Sequence, residues 1–287
     1  MRVLILGSDS PLGEALVRFL EELDRHELTA LTRAASRWKS ERQAKKGIRR
    51  AKADVVVDVR IEAVADSGQE IAELDLKRCQ WIAKCCQRDG ACHFFISSSR
   101  VFSGKQDRMY NEDDVPDAED EVGGLLAAAE QVVRDHCERH LILRLGPVFA
   151  SSGPNLVTQM LGEMTGGGKL VLDNNLRGCP VASADGARVV SALLDQISTA
   201  TELWGIYHYC SSETATFYEF AEAVLAAASQ FTEFSSAAVE LQQQSADTPS
   251  LNRSLECSKI RNTFAVKQLP WRNAIADLVQ QYFQQQT

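Results

Sequence analysis

The chain has 287 residues, of which 45% are hydrophobic and 24% charged, an ordinary globular composition with length for a sizeable core in one large domain or two intimate ones. A net charge of −8 argues against a general nucleic-acid binder. No apolar run reaches the length of a membrane span, and residues 2–6 are too short an apolar run for a secretory leader, so the expected location is the cytoplasm.

Strands and helices alternate along the chain. Residues 3–6 form an apolar run suited to a strand buried on both faces. Gly7 ends the run, Gly13 follows, and Ala15, Leu16, Phe19 and Leu20 then recur at helical spacing. Strand, glycine turn and helix open a dinucleotide-binding unit, whose glycines make a tight turn, admit a pyrophosphate and let the helix pack on the strand. A second strand is expected at 27–32. Arg33 follows it, at the place where an arginine takes the 2′-phosphate of NADP. A basic run continues to Lys52; beyond Arg37 it reads as a solvated helix face, with a nucleic-acid patch as the alternative.

Next come a strand at 54–59, a helix at 71–87 and a strand at 93–97 that ends in Ser97-Ser98-Ser99. A turn-rich acidic loop spans 103–121, then a helix 122–138 and a strand 140–145. That rhythm gives an α/β fold with a doubly wound parallel sheet. After 150 we expect a helix at 155–164 ended by glycines 166–168, a strand at 169–173, a helix at 185–197, a strand at 205–210 and a helix at 217–228. A polar surface loop at 242–252, a short helix from Ser258 and an amphipathic helix at 271–283 complete the chain. The expected division is a dinucleotide-binding domain of residues 1–150 plus about 181–204, and a smaller α/β substrate-type lobe of 151–180 plus 205–287. None of the eight cysteines forms a CxxC pair, and they fall in apolar or helical patterns, so we expect reduced, mostly buried thiols and no metal site.

Several phrases, in their order and spacing, carry a family resemblance. Ile96-Ser97-Ser98-Ser99-Arg100-Val101-Phe102-Ser103-Gly104 resembles ISTDYVFDG. Tyr110-Asn111-Glu112-Asp113 before Pro116, Leu143-Arg144-Leu145-Gly146-Pro147-Val148-Phe149 and Asn155-Leu156-Val157 fit further family phrases. Leu172 to Pro180 resembles VxDQxGxPT, and Leu255-Glu256-Cys257-Ser258-Lys259-Ile260 resembles LDxSKL. Over nearly its whole length the chain resembles the dTDP-4-dehydrorhamnose reductase group of the extended short-chain dehydrogenase/reductases. That resemblance implies an NAD(P)-binding Rossmann fold, NADP or NAD as cofactor and a nucleotide-sugar as ligand. It implies cofactor contacts from Gly7, Ser10, Pro11, Leu12 and Gly13, from Arg33, from Asp58 and Val59, and from Ser97. Arg177, Asn252 and Arg253 lie beside family-like phrases and read as loop hydrogen-bonding groups.

Members of the group place a Ser or Thr at a strand end and a YxxxK on the next helix. The phenol delivers a proton to the carbonyl oxygen as the hydride arrives, and an ammonium one helical turn away lowers its pKa. Aligning on Pro116, Gly123 and Glu130 puts Val122 on the tyrosine and Leu126 on the lysine, while Ser98 keeps the Ser/Thr position. Arg100 stands where the family has a tyrosine. Ser10 replaces the middle loop glycine, Asp58-Val59-Arg60 replaces Asn-Ala-Ala, and the family's third strand has no counterpart between Arg33 and Asp54. This frame has Val122 and Leu126 facing the nucleotide cleft, with Ser98 in reach of Val122.

Besides a nucleic-acid or partner-binding module using the basic run Arg33 to Lys52, two readings of function follow. One is a catalytically silent member kept for binding, regulation or assembly, a regulatory partner subunit included. The other is an active NAD(P)H-dependent nucleotide-sugar reductase or epimerase with a displaced proton donor. Tyr110 is the candidate donor, with Lys105 beside it; Cys137, His136 and His140 lie at the far end of the helix. The helices at 71–87 and 122–138 offer a homodimer or partner-protein surface.

Overall fold

A computed structural model describes residues 1–62, 72–166, 168–197, 203–231, 239–244 and 250–286. The opening apolar run forms β1 (Arg2–Leu6), flanked in parallel by β2 (Glu27–Leu31) and β3 (Val55–Asp58). Beyond β3 lie β4 (Cys92–Ser98), β5 (His140–Leu145) and β10 (Gly205–Tyr209). The sheet is parallel throughout, in the order β10-β5-β4-β3-β1-β2. β3 and β4 are buried along their whole length, as strands covered on both faces must be.

The covering helices divide by strand alternation. Val3 and Ile5 share a core with Leu16 and Leu20 of α1 (Pro11–Leu23) and Val190 of α6 (Ser183–Ile197). Leu4, Leu6 and Val56 share another with Ile48 of α2 (Glu41–Ala51) and with Ile82 and Cys86 of α3 (Glu73–Asp89). α4 (Glu121–His136) packs beside α3 against β4 and β5. The chain runs from β2 on one side of β1 to β3 on the other, so a crevice opens at the C-terminal ends of β1 and β3. In open α/β sheets that crevice is where ligands sit.

β2 is the sheet edge among the described residues, with Glu27, Thr29 and Ala30 exposed. The stretch between Arg33 and Asp54, too short for a helix and a further strand, folds as α2 alone. The missing third strand expected from sequence is therefore a feature of the fold.

Apart from the two cores on the faces of the main sheet, a separate core gathers α5 (Leu156–Gly166), α7 (Phe217–Ala228) and α9 (Arg272–Gln284) around Phe149, Phe220 and Trp271. Short sheets stitch it together. β6 (Val148–Phe149) pairs with β9 (Val181–Ala182), and β7 (Gly168–Asp173) with β12 (Val239–Gln244). β8 (Leu176–Gly178) lies between β11 (Ala215–Thr216) and β13 (Leu251–Asn252). α8 (Ser258–Phe264) packs on β10 and α6.

Two expectations are corrected. β10 was assigned to the second lobe, yet it extends the main sheet beside β5. Part of the polar loop expected at 242–252 is strand: β12 pairs with β7 through its backbone, which needs no apolar pattern. Ile71, Gly167 and residues 245–249, which fall in other expected segments, lie outside the described residues. The eight cysteines are buried and free. Among the described residues no helix is long and apolar enough to cross a membrane.

Candidate functional site

The loop between β1 and α1 closes on itself. The N–H groups of Gly7 and Ser8 both donate to the Leu31 carbonyl, at 2.8 and 3.1 Å, and that of Ser10 to the Gly7 carbonyl at 3.0 Å. Ser10 caps α1, its Oγ accepting the Gly13 N–H at 3.0 Å. Pro11, the first helical residue, has no N–H to offer. A Cβ on Gly13 would lie 2.2 Å from the Gly7 carbonyl oxygen, so only glycine lets the helix approach this closely. Leu12 is buried in the main core. The exposed Asp9 carboxylate accepts the Arg33 N–H at 2.6 Å. Helix N-termini bind anions through unpaired N–H groups, and here most of those groups face the protein.

The crevice at the ends of β1 and β3 holds an ion pair. Arg60 donates from Nε and Nη2 to the two Asp58 carboxylate oxygens, both at 2.8 Å, and from Nη1 to the Ser36 carbonyl at 3.4 Å. Its side chain is 8% exposed and that of Asp58 wholly buried. A Cβ on Gly7 would meet Val59 Cγ2 at 3.0 Å and Arg60 Cγ at 3.2 Å. Arg60 thus bridges the end of β3 to the loop after β2, across the crevice. Burial alone would raise the Asp58 carboxyl, but the charge and hydrogen bonds of Arg60 outweigh it and hold Asp58 well below the usual carboxylate range. Trp38 is buried beside Gly47 of α2, and its carbonyl accepts Arg78 Nε at 3.0 Å, which fixes the same loop from α3. The N–H groups of Gly7, Ser8, Ser10 and Gly13 are thus paired within the protein, and the Arg60 side chain spans the crevice to the Ser36 carbonyl.

The end of β4 is equally committed. Ser97, expected at the cofactor, donates its hydroxyl to Glu130 at 2.6 Å, and Glu130 accepts Nε and Nη2 of Arg144 at 2.9 and 2.6 Å. Arg144 Nη1 lies 3.2 Å from His208 Nε2, and His208 Nδ1 lies 3.1 Å from the Tyr110 carbonyl. A guanidinium can only donate, so Nε2 carries the lone pair and Nδ1 the proton. Burial and the Arg144 charge push the His208 pKa down to about 3.

Ser98 Oγ accepts the Arg100 N–H at 3.3 Å and so caps the short 3-10 turn Ser99–Val101. α4 presses against that turn: a Cβ on Gly123 would lie 2.3 Å from the Arg100 carbonyl oxygen. Val122 is half-buried against the main core, and Leu126 is 0% exposed inside it. The expectation that Leu126 faces a nucleotide cleft is therefore corrected: an apolar side chain at this position turns onto the sheet. Neither residue has a proton to give.

Tyr110 is corrected as well. It is buried, stacked on Phe102 at 4.1 Å, and its hydroxyl accepts the Gly104 N–H at 3.0 Å. Its backbone pairs with Ser254 and Glu256 at 2.9 and 2.7 Å. It is a clamp between distant segments, not a mobile donor. Lys105 pairs with Glu119 at the surface. His136 contacts Gln80 and the Val132 carbonyl, and His140 the carbonyl of the buried Cys137, at the far end of α4.

Open space lies elsewhere. A cavity of about 430 Å³, within the usual size range of small-molecule sites, opens between the main sheet and the separate core. Ser99 and Arg100 line it after β4, Pro147 and Val148 after β5, and Phe217 and Phe220 from α7. Arg177 of β8 and Arg253 after β13 add charge to these apolar walls. Arg177 forms a paired contact with Glu219, at 2.8 and 3.2 Å, and Glu219 also closes the capping box of α7 with Thr216. Arg100 and Arg253 each reach Asp120, at 3.2 and 3.3 Å. Arg177 and Arg253, read from sequence as loop groups, are thus cavity walls. Three guanidiniums among aromatic and aliphatic groups suit a ligand with phosphates and a ring.

Comparison with known proteins gives a consistent result. The family model described as RmlD substrate binding domain matches residues 1–284. A dTDP-4-dehydrorhamnose reductase of Aggregatibacter actinomycetemcomitans is 24% identical over 287 residues, covering 96% of this chain and 98% of that protein. Among solved structures, a dTDP-4-dehydrorhamnose reductase from Clostridium acetobutylicum superposes with a TM-score of 0.81 at 17% identity, covering 98% of this chain and 99% of that one. One from Bacillus anthracis, in complex with NADP, gives 0.77 at 19% identity and covers 96% of each chain.

Proposed function

The chain belongs to the RmlD substrate binding domain family, and from that premise we propose that it binds a nucleotide-sugar without reducing it. What carries this reading is that Val122 and a fully buried Leu126 stand where the family resemblance sets the proton-delivering pair. Reducing a ketone needs a hydride from a nicotinamide and a proton for the carbonyl oxygen. At the end of β4, Ser97 is paired with Glu130, Ser98 accepts the Arg100 N–H, and Val122 and Leu126 are apolar. Arg60, bound to Asp58 across the crevice, supports the same reading from the cofactor side. The cavity supports the binding half: Arg177 and its neighbours supply charge for a diphosphate, and Phe217 and Phe220 supply apolar wall. Binding without turnover suits a regulatory or assembly role, in which the liganded chain acts on a second copy or a partner protein. The alternative, an active NAD(P)H-dependent reductase with another donor, draws on the NADP held by the Bacillus anthracis neighbour.

Thermal unfolding separates the two. We expect dTDP-glucose at a hundred times its Kd to stabilise the protein by about 2.7 kcal/mol, while millimolar NADPH or NADH leaves the melting temperature unchanged. Loss of reduced-nicotinamide absorbance on adding a deoxythymidine-diphosphate 4-keto sugar would overturn the proposal.

A further inference from the structure

The cavity also bears on which sugar its ligand carries, an inference that rests on the nucleotide-sugar reading above. Asp120 caps α4 by accepting the Gly123 N–H at 2.9 Å. The same carboxylate receives Nη2 of Arg100 at 3.2 Å and Nη2 of Arg253 at 3.3 Å. One carboxylate is shared by a helix terminus and two guanidiniums, and both guanidiniums line the cavity. Arg253 Nε is buried and has no hydrogen-bond partner among the described residues. Burial and the nearby charge of Arg100 both work against the Arg253 charge, and Asp120 only partly offsets them. Such a guanidinium is completed by an anion.

The position of this pair matters. Arg100 follows Ser98-Ser99 at the end of β4, and Asp120 immediately precedes the helical turn of Val122. Hydroxyl donors at that end of the site would meet a neutral carbonyl. Here two guanidiniums held by Asp120 stand beside Ser99, while Arg177 on β8, whose carbonyl accepts the Arg253 N–H at 2.8 Å, sends its own guanidinium to Glu219. One cationic position accounts for a diphosphate; the second calls for a second anion. We propose that the nucleotide-sugar bound by this chain carries a carboxylate on its sugar, received by Arg100 and Arg253.

Isothermal titration with dTDP, dTDP-glucose and dTDP-glucuronate tests this directly, because the two sugars differ only by a hydroxymethyl or a carboxylate. The uronate should bind the wild-type protein about tenfold more tightly than the neutral sugar. Arg253→Gln and Arg100→Gln should each erase that preference, bringing the affinities of the uronate and of dTDP-glucose to within about twofold of each other. Arg253→Lys should retain part of it. Equal wild-type affinities for the two sugars overturn the carboxylate while leaving the nucleotide-sugar reading intact. Equal loss of dTDP and both sugars in the glutamine variants also overturns it, by assigning the pair to the diphosphate. Failure of dTDP and of both sugars to bind removes both proposals together. Should a glutamine variant fail to fold, the wild-type comparison alone decides.

Discussion

Arg144 fixes the protonation of His208, because a group that only donates leaves Nε2 no proton to hold. The folded pKa of about 3 lies below the ordinary histidine value near 6.5, so between these pH values the unfolded chain takes up a proton that the fold refuses. Stability from this residue is complete above about pH 6.5 and falls on acidification, by on the order of 4 kcal/mol at the limit. His208→Gln, which can still accept from Arg144 and donate to Tyr110, should flatten the urea-unfolding stability curve between about pH 6.5 and 4.5. An unchanged slope would show that His208 is not the group responsible. Asp58 acts lower: its pKa is held below the usual carboxylate value, so its contribution is present above about pH 4 and is lost as pH falls further. Removing Arg60 alone strands the buried Asp58 and should cost about 3–5 kcal/mol. The paired change Asp58→Asn with Arg60→Ala removes both charges and clears the crevice. It should tighten NADP binding relative to the wild-type protein in a fluorescence titration, and identical titrations would show that the pair does not close the crevice.

At the scale of elements, α4 is the informative case. Its frame of Pro116, Gly123 and Glu130 was legible in the sequence, and so were its bounds to within two residues. The orientation of Leu126 was not, because spacing along a helix gives a shared face without saying whether that face meets a cleft or a sheet. Restoring the pair as Val122→Tyr with Leu126→Lys puts an ammonium where the native side chain is 0% exposed. It should lower stability by on the order of several kcal/mol and yield no NADPH oxidation. A stable, active double variant would reverse the reading of this helix. The burial of Tyr110 was equally hidden, because its partners Ser254 and Glu256 lie far along the chain. β10 read as a strand, but GIYHY does not say which sheet it joins. β12 was missed because its glutamines pair through backbone and carry no apolar period.

On the scale of the molecule, the sequence was most legible where a buried parallel strand demands a continuous apolar run, as in β1 and β3. It was least legible where segments remote in the chain complete one another. The main sheet takes its last strand from Gly205–Tyr209, and the loop around Tyr110 takes its backbone partners from Ser254 and Glu256. The main sheet and the separate core are therefore interleaved along the chain, and the cavity between them draws its walls from both.

The clamp at Tyr110 has a consequence for the order of events during synthesis. A nascent chain that has emerged as far as β5 can pair five strands, but the face of β5 meant for β10 stays open and Tyr110 has no backbone partner. The first waits for Gly205–Tyr209, and the second until Glu256 has left the ribosome, when nearly the whole polypeptide is already present. Formation of the first half is thereby tied to delivery of the last, and a translation product cut short before that point lacks the pieces that close the sheet and seat the loop.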